Sequence, residues 1–237
     1  MTAEASSARR ERTRGTLILF TLALSVVGSV FFATQPWSDG RTAAGLSLLN
    51  VGLYLIYWRR TRDAAVGRLL LFGGALGTVE LAADYLCVRF TGTLDYAPAR
   101  SAMLFESPWW MPLAWTNVGV QVGYVGARLV ERIGPGRGAL FCALLGAVNI
   151  PFYEEMAFYA HWWRYQNCLM VGHTPVYIVV AELLIGAALG PLARVPLRDD
   201  SRRKALAAGA LAGAATIAGG LVGYGLVERI PEWLRLP

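Results

Sequence analysis

Between Asn149 and His173 the chain reads NIPFYEEMAFYAHWWRYQNCLMVGH. That stretch sets two adjacent carboxylates, Glu154 and Glu155, among a run of Phe, Tyr and Trp, with Arg164 and both histidines of the protein, His161 and His173, close by. Helical spacing puts Glu154, Phe158 and His161 on one face and Glu155, Tyr159 and Trp162 on the next. Glu80 and Asp84 stand four residues apart behind Gly73 and Gly77, so small residues and acids share a helix face, and Glu182 heads a stripe with Gly186 and Gly190. A carboxylic acid in apolar, aromatic surroundings can donate a proton to a weak base such as an alkene or an epoxide. The resulting carbocation is stabilised by aromatic faces, which Trp109, Trp110, Tyr153, Phe158, Tyr159, Trp162 and Trp163 could supply. A second carboxylate would then take a proton back or direct a water onto the cation.

The elements that must position these groups are membrane helices. The 237 residues are 55% hydrophobic with a positive mean hydropathy, too apolar for an ordinary soluble domain. A bilayer core of about 30 Å needs roughly 20 apolar residues per helix, and seven such segments stand out at residues 15–34, 42–58, 68–88, 108–129, 138–158, 174–195 and 204–227. Their apolar runs are continuous rather than alternating, which predicts helices and not a barrel. The expected fold is all-α, a single bundle of seven transmembrane helices over residues 15–230, with a mobile basic arm at 1–14 and a short outer tail at 231–237.

Basic residues set the expected orientation. Arg9, Arg10, Arg12 and Arg14, then Arg59, Arg60, Arg62 and Arg68, then Arg128, Arg132 and Arg137, and finally Arg194, Arg198, Arg202, Arg203 and Lys204 fall at alternate joints and account for 16 of the 22. The N-terminus is therefore expected inside and the C-terminus outside, in the plasma membrane of a bacterium. The net charge of +6 orients the chain and calls for no nucleic-acid partner. Its partners are membrane lipid and a hydrophobic substrate drawn from it.

On this topology Glu80, Asp84, Glu154, Glu155 and Glu182 all project to the outer half, where Arg89 and Arg164 are the only nearby permanent cations. The five cannot all be ion-paired, so at least one is expected to carry its proton. The long segment from Arg89 to Ser107 is expected to fold back as a lid. Pro151 is expected to kink the fifth span, and Gly209, Gly213, Thr216, Gly220 and Gly223 to form a close-packing face on the seventh. Cys87 and Cys168 face the same side and could pair in an oxidising compartment, with free, packed thiols the default expectation. The catalytic candidates are Glu80, Asp84, Glu154 and Glu155. The candidates for lining a substrate are Trp109, Trp110, Asn117, Gln121, Asn149, Tyr153, Phe158, Trp162 and Glu182. No metal or organic cofactor is called for.

VELAADYLCVRFTGTLDY, ESPWWMPLAW, NIPFYEEMAFYAHWW and HTPVYIVVAELLIG together resemble, in order and spacing, the membrane carotenoid-biosynthesis proteins of the carotenoid hydratase type. Those proteins are similar in helix number to the lycopene-cyclase-like and meroterpenoid cyclases of membranes. The resemblance covers about residues 70–190, and its sharpest pieces are Glu80 before Thr91 and Gly92 and the PLAW run from Pro112 to Trp115. Where that family tends to have a Trp-Asp pair in the fifth span, this chain has Val148 and Asn149. The resemblance implies an isoprenoid substrate and acid-initiated chemistry, with Glu80 as acid and Glu154 or Glu155 as partner. It leaves cyclisation and hydration both open.

Three other classes compete. An intramembrane metalloprotease of the CAAX-processing type shares the EE pair, but its EExxxR motif would need Arg where Tyr159 stands. A retinal-type receptor needs a mid-membrane lysine, and Lys204 is the only lysine. A proton-coupled transporter or a non-catalytic membrane protein would use the buried acids for protons or packing.

Overall fold

The computed structural model describes residues 3–229, with side chains from residue 8 onward. The expected outer tail at 231–237, with Arg235, lies outside the described residues. The chain is all-α, and each predicted span corresponds to a long helix: α1 Ala3–Ala33, α2 Gly40–Thr61, α3 Ala64–Tyr85, α4 Met111–Ile133, α5 Pro135–Tyr159, α6 Val176–Ala193 and, after the single turn α7 Val195–Arg198, α8 Arg202–Tyr224. Five segments are long and apolar enough to cross a membrane: Ala8–Ala33, Ala64–Phe90, Pro135–Tyr159, Val176–Arg198 and Arg202–Arg229. That composition is compatible with a multi-pass membrane protein. α2 and α4 carry more polar residues and are buried along one face between their neighbours. The basic arm expected at 1–14 is a continuation of α1, which starts at Ala3.

Local sequence explains where the helices start and stop. Asp39 caps α2 by accepting from the Arg41 N–H at 2.9 Å, and Asp63 caps α3 by accepting from the Ala65 N–H at 3.0 Å. α3 runs on into a π-turn, Leu86–Phe90, and ends where Gly92 takes φ +65°, a left-handed conformation that glycine adopts without strain.

Close backbone approach fixes α3 at the centre. A Cβ on Gly73 would meet the Thr116 carbonyl at 2.6 Å, and one on Gly77 would run into the Pro112 carbonyl, so the small-residue face of α3 lies directly on α4. The opposite side of α3 meets α8, where Gly209 and Gly213 sit against the backbone of Phe72 and Leu76, while Gly223 lies on Tyr177 of α6. Gly220 has open space beside it and is not part of that packing face. α5 lies at the margin, with Leu140, Phe141, Leu144, Leu145 and Val148 exposed, as expected of a lipid-facing side. Pro151 is accommodated within the continuous α5.

The basic joints assemble at one end of the bundle, tied by Arg14 to Asp63 (3.5 Å), Arg128 to Glu11 (2.8 Å), Arg68 to Asp200 (2.9 Å) and Arg198 to Glu131 (3.0 Å). The opposite end is covered by two folded-back segments, 91–110 and 160–175. Each contains a short hairpin, β2 Met103–Leu104 with β3 Ser107–Pro108 and β5 Met170–Val171 with β6 Thr174–Pro175. A ladder between β1 Leu94–Asp95 and β4 Arg164–Tyr165 joins the two segments into one cover. Arg164 reinforces it with bonds from Nε and Nη2 to Asp95, both at 2.8 Å.

Candidate functional site: a buried carboxylate cluster

Beneath this cover lie Glu80 and Asp84 from α3, Glu154 from α5 and Glu182 from α6. Glu80 is 2% exposed, Glu154 4% and Asp84 7%, while Glu182 is half-buried. Glu80 touches Asp84 and the Trp115 side chain, and Glu182 is near enough to act electrostatically on both Glu80 and Glu154. One oxygen of Glu80, Oε2, is buried and has no hydrogen-bond partner among the described residues, and the buried Ser107 side chain stands beside Asp84. An unpaired polar atom in such a place costs free energy and asks for a proton or a ligand.

The other two principal acids are held by the cover. Tyr96 donates its hydroxyl to Asp84 Oδ2 at 2.6 Å, and Trp163 donates its indole N–H to Glu154 Oε2 at 2.7 Å. Tyr96 and Trp110 flank Trp163 with ring centroids 6.4 Å away in each case, and Trp162 lies 6.2 Å from it. The acids therefore sit under an aromatic roof. No salt bridge among the described residues reaches them: Arg89 is spent on Glu106 at 2.7 Å and Arg164 on Asp95. Asp84 is buried because Tyr96 folds over it.

Several expected lining residues lie elsewhere. Asn117 donates to the Ser47 carbonyl at 3.2 Å, and Gln121 donates to Tyr54 at 3.0 Å and to Ser25 at 3.2 Å. With Asn50 on Ser25 (2.9 Å) and Thr21 on Tyr54, these side chains form a second polar network joining α1, α2 and α4, apart from the acids. These two α4 amides turn to α1 and α2 because those helices, too, carry polar groups facing inward. Asn149 is exposed on α5 and Tyr153 is half-buried. Trp110 is buried with its N–H on Ser101 (3.2 Å), Trp162 is buried with its N–H on Thr42 (2.8 Å), and Trp109 is 43% exposed. Glu155 faces away from Glu154 and clasps the outer hairpin, accepting from the His173 backbone N–H at 2.8 Å and lying 2.8 Å from its ring Nδ1. Phe158 stacks on that ring at 3.5 Å. Cys87, Cys142 and Cys168 are free.

Tyr96, Ser107 and Trp115 are the site residues that stand outside the candidate set, and Trp163 was expected only as an aromatic face. Trp115 closes the PLAW run and Trp163 belongs to the aromatic stretch after the Glu pair, so both carried a signal. Tyr96 and Ser107 carried only their place in the lid. On the outside of the cover, Pro98, Phe158, Tyr159, His161, Trp163 and Arg164 line a cleft of about 320 Å3. Trp163 is shared between the cleft and the acid cluster. His161 ends α5 at φ 56°, in the left-handed position usually filled by glycine, at a cost of roughly 1–2 kcal/mol for an L side chain.

Fold and site together define a multi-helix bundle of membrane character with an acid cluster capped at one end. Residues 81–227 match DUF6989, a domain of unknown function, and the chain belongs to that family. Asp84, Glu154 and Glu182 fall inside the matched stretch, and Glu80 stands one residue before it. No curated protein and no solved structure matches the chain.

Proposed function

We propose that the protein is a seven-span enzyme of a bacterial plasma membrane, N-terminus inside and C-terminus outside, that modifies a hydrophobic isoprenoid by acid-initiated cyclisation or hydration. The observation that carries this reading is Glu80, deeply buried against Asp84, with an Oε2 that has no hydrogen-bond partner and a carboxyl that no salt bridge reaches among the described residues. Two carboxyl groups in contact without a counter-ion can share one proton. Glu80 is the acid that delivers that proton to one carbon of an alkene or to the oxygen of an epoxide. The positive charge passes to carbon, where the faces of Trp110, Trp163 and Tyr96 stabilise it. Glu154 then accepts a proton from the cyclised cation, or from the water that adds to it, so that the net change is isomerisation or gain of water. The orientation is supported by the gathering of basic joints at the end opposite the acids.

The test is mass spectrometry of lipid extracts from carotenoid- and polyprenyl-producing hosts with and without the protein. A new species isobaric with its precursor means cyclisation, and one heavier by a water means hydration. No new species in any of these hosts overturns the enzymatic reading. A second reading, proton-coupled transport, is favoured by the polar network of Ser25, Asn50, Tyr54 and Gln121 through the bundle. It predicts proton flux in liposomes carrying a pH dye, which an enzyme would not give.

A further inference from the structure

The cleft outside the cover has the size of a small-ligand site, about 300 Å3 or more, and its two kinds of wall differ in chemistry. Pro98, Phe158, Tyr159 and Trp163 offer apolar and aromatic surface, while His161 and Arg164 offer hydrogen-bond donors. His161 is the informative residue. Its backbone closes α5 through bonds from the His161 N–H to Phe158 (3.2 Å) and from the Trp162 N–H to Ala157 (2.9 Å), a motif whose left-handed position favours glycine. The imidazole is exposed and makes no side-chain bond among the described residues. A side chain kept where glycine would be unstrained, and given nothing to hold within the chain, is available to something outside it. Arg164 fits the same purpose. Its Nε and Nη2 are engaged by Asp95, which fixes the guanidinium plane and leaves Nη1 for an oxygen ligand. Trp163 connects the two compartments, one side of its indole in the cleft and its N–H on Glu154.

We propose that this cleft is the head-group subsite of the acid cluster: an isoprenoid with an acidic head, phosphate or carboxylate, seats that head between His161 and Arg164, its chain running past Trp163 toward Glu154. The inference rests on the isoprenoid reading above and adds the class of head group. Oxyanions suit a guanidinium and an imidazole because each donates charge-assisted hydrogen bonds, and an isoprenoid chain suits the aromatic walls.

The test is equilibrium binding of radiolabelled farnesyl monophosphate and farnesol to the full chain in phosphatidylcholine nanodiscs. Farnesyl monophosphate is expected to bind about tenfold more tightly than farnesol. His161→Gly relieves the left-handed backbone, so its melting temperature should not fall, and it is expected to bring the two affinities to within about twofold. Glu80→Gln, which stops turnover on the reading above, should keep the preference. Equal affinities in the natural protein, or a preference that survives His161→Gly, overturn the subsite. Loss of the preference on adding dioleoyl phosphatidic acid assigns the cleft to bilayer phosphate and overturns it as well. Head-group preference without chemistry on any isoprenoid overturns the catalytic reading alone, whereas turnover indifferent to the head group overturns the subsite alone.

Discussion

At Glu80 the carboxyl is buried with one oxygen unpaired, and at Glu154 it accepts from the Trp163 indole, so an amide of the same shape tests the proton and not the packing. Glu80→Gln and Glu154→Gln are each expected to abolish new product in host extracts while the protein still inserts and purifies as the natural one does. Full product from both variants would dispose of the acid mechanism. Trp163 acts on Glu154 as a positioning residue. Trp163→Phe keeps an aromatic ring, though a smaller one, and removes the N–H, a bond to an ionisable group worth about 1.5–3 kcal/mol, and turnover is expected to fall about tenfold or more. A purely structural Trp163 would lower expression instead and leave the pH–rate profile of the residual activity where it was; displacement of that profile marks the positioning role. Glu155, by contrast, is committed to His173 and holds the outer hairpin. The two adjacent glutamates read alike in the sequence and separate in space because neighbouring helix positions point about 100° apart.

Helices α3 and α4 place the acids by touching backbone to backbone, and this packing can be tested directly. Gly77→Ala drives a methyl into the Pro112 carbonyl and is expected to cost about 1–3 kcal/mol, read as a lower melting temperature in detergent with loss of activity. Gly220→Ala, which meets open space, should gain about 0.5–1 kcal/mol from helix propensity. If both variants melt alike, close approach is not what sets the α3–α4 distance. The start of α2 makes a pH-dependent prediction. Burial alone would push the Asp39 carboxyl up, yet hydrogen bonds and charge from Arg41 hold it below its ordinary value of 3.8. A carboxyl with a depressed folded value stabilises at neutral pH and loses that contribution as pH falls through the folded value. Asp39→Ala is therefore expected to cost about 1 kcal/mol at pH 7, and the difference from the natural protein should shrink as pH drops below about 4. A gap that stays constant with pH would mean the cap works without its charge.

Over the whole molecule, alternate joints gather at opposite ends of one bundle, which makes the orientation a single binary question. A fluorescent protein fused to the N-terminus should fluoresce and alkaline phosphatase fused to the C-terminus should be active; the reverse pair would invert the proposed topology. The long helices were legible in the sequence, five of them as continuous apolar runs of bilayer length, because such runs, broken by Arg-rich or Gly- and Pro-containing joints, have few other stable outcomes. So was the burial of Glu80, since Gly73 and Gly77 on the same face call for a close neighbour and carry the acid inward with them. The roof was not legible. Tyr96 reaches Asp84, and Trp163 reaches Glu154, only because β1 and β4, some 70 residues apart, pair and fold both outer segments over the helix ends. Nor could the sequence divide the polar residues of α4 from the acids: the inward face of a helix follows from its own periodicity, but which neighbour answers each side chain depends on the arrangement of helices around it. Helix positions and inward faces were thus fixed by local spacing and apolar length, while the partners of Asp84, Glu154, Gln121 and Glu155 were decided by long-range pairing that only the tertiary structure contains.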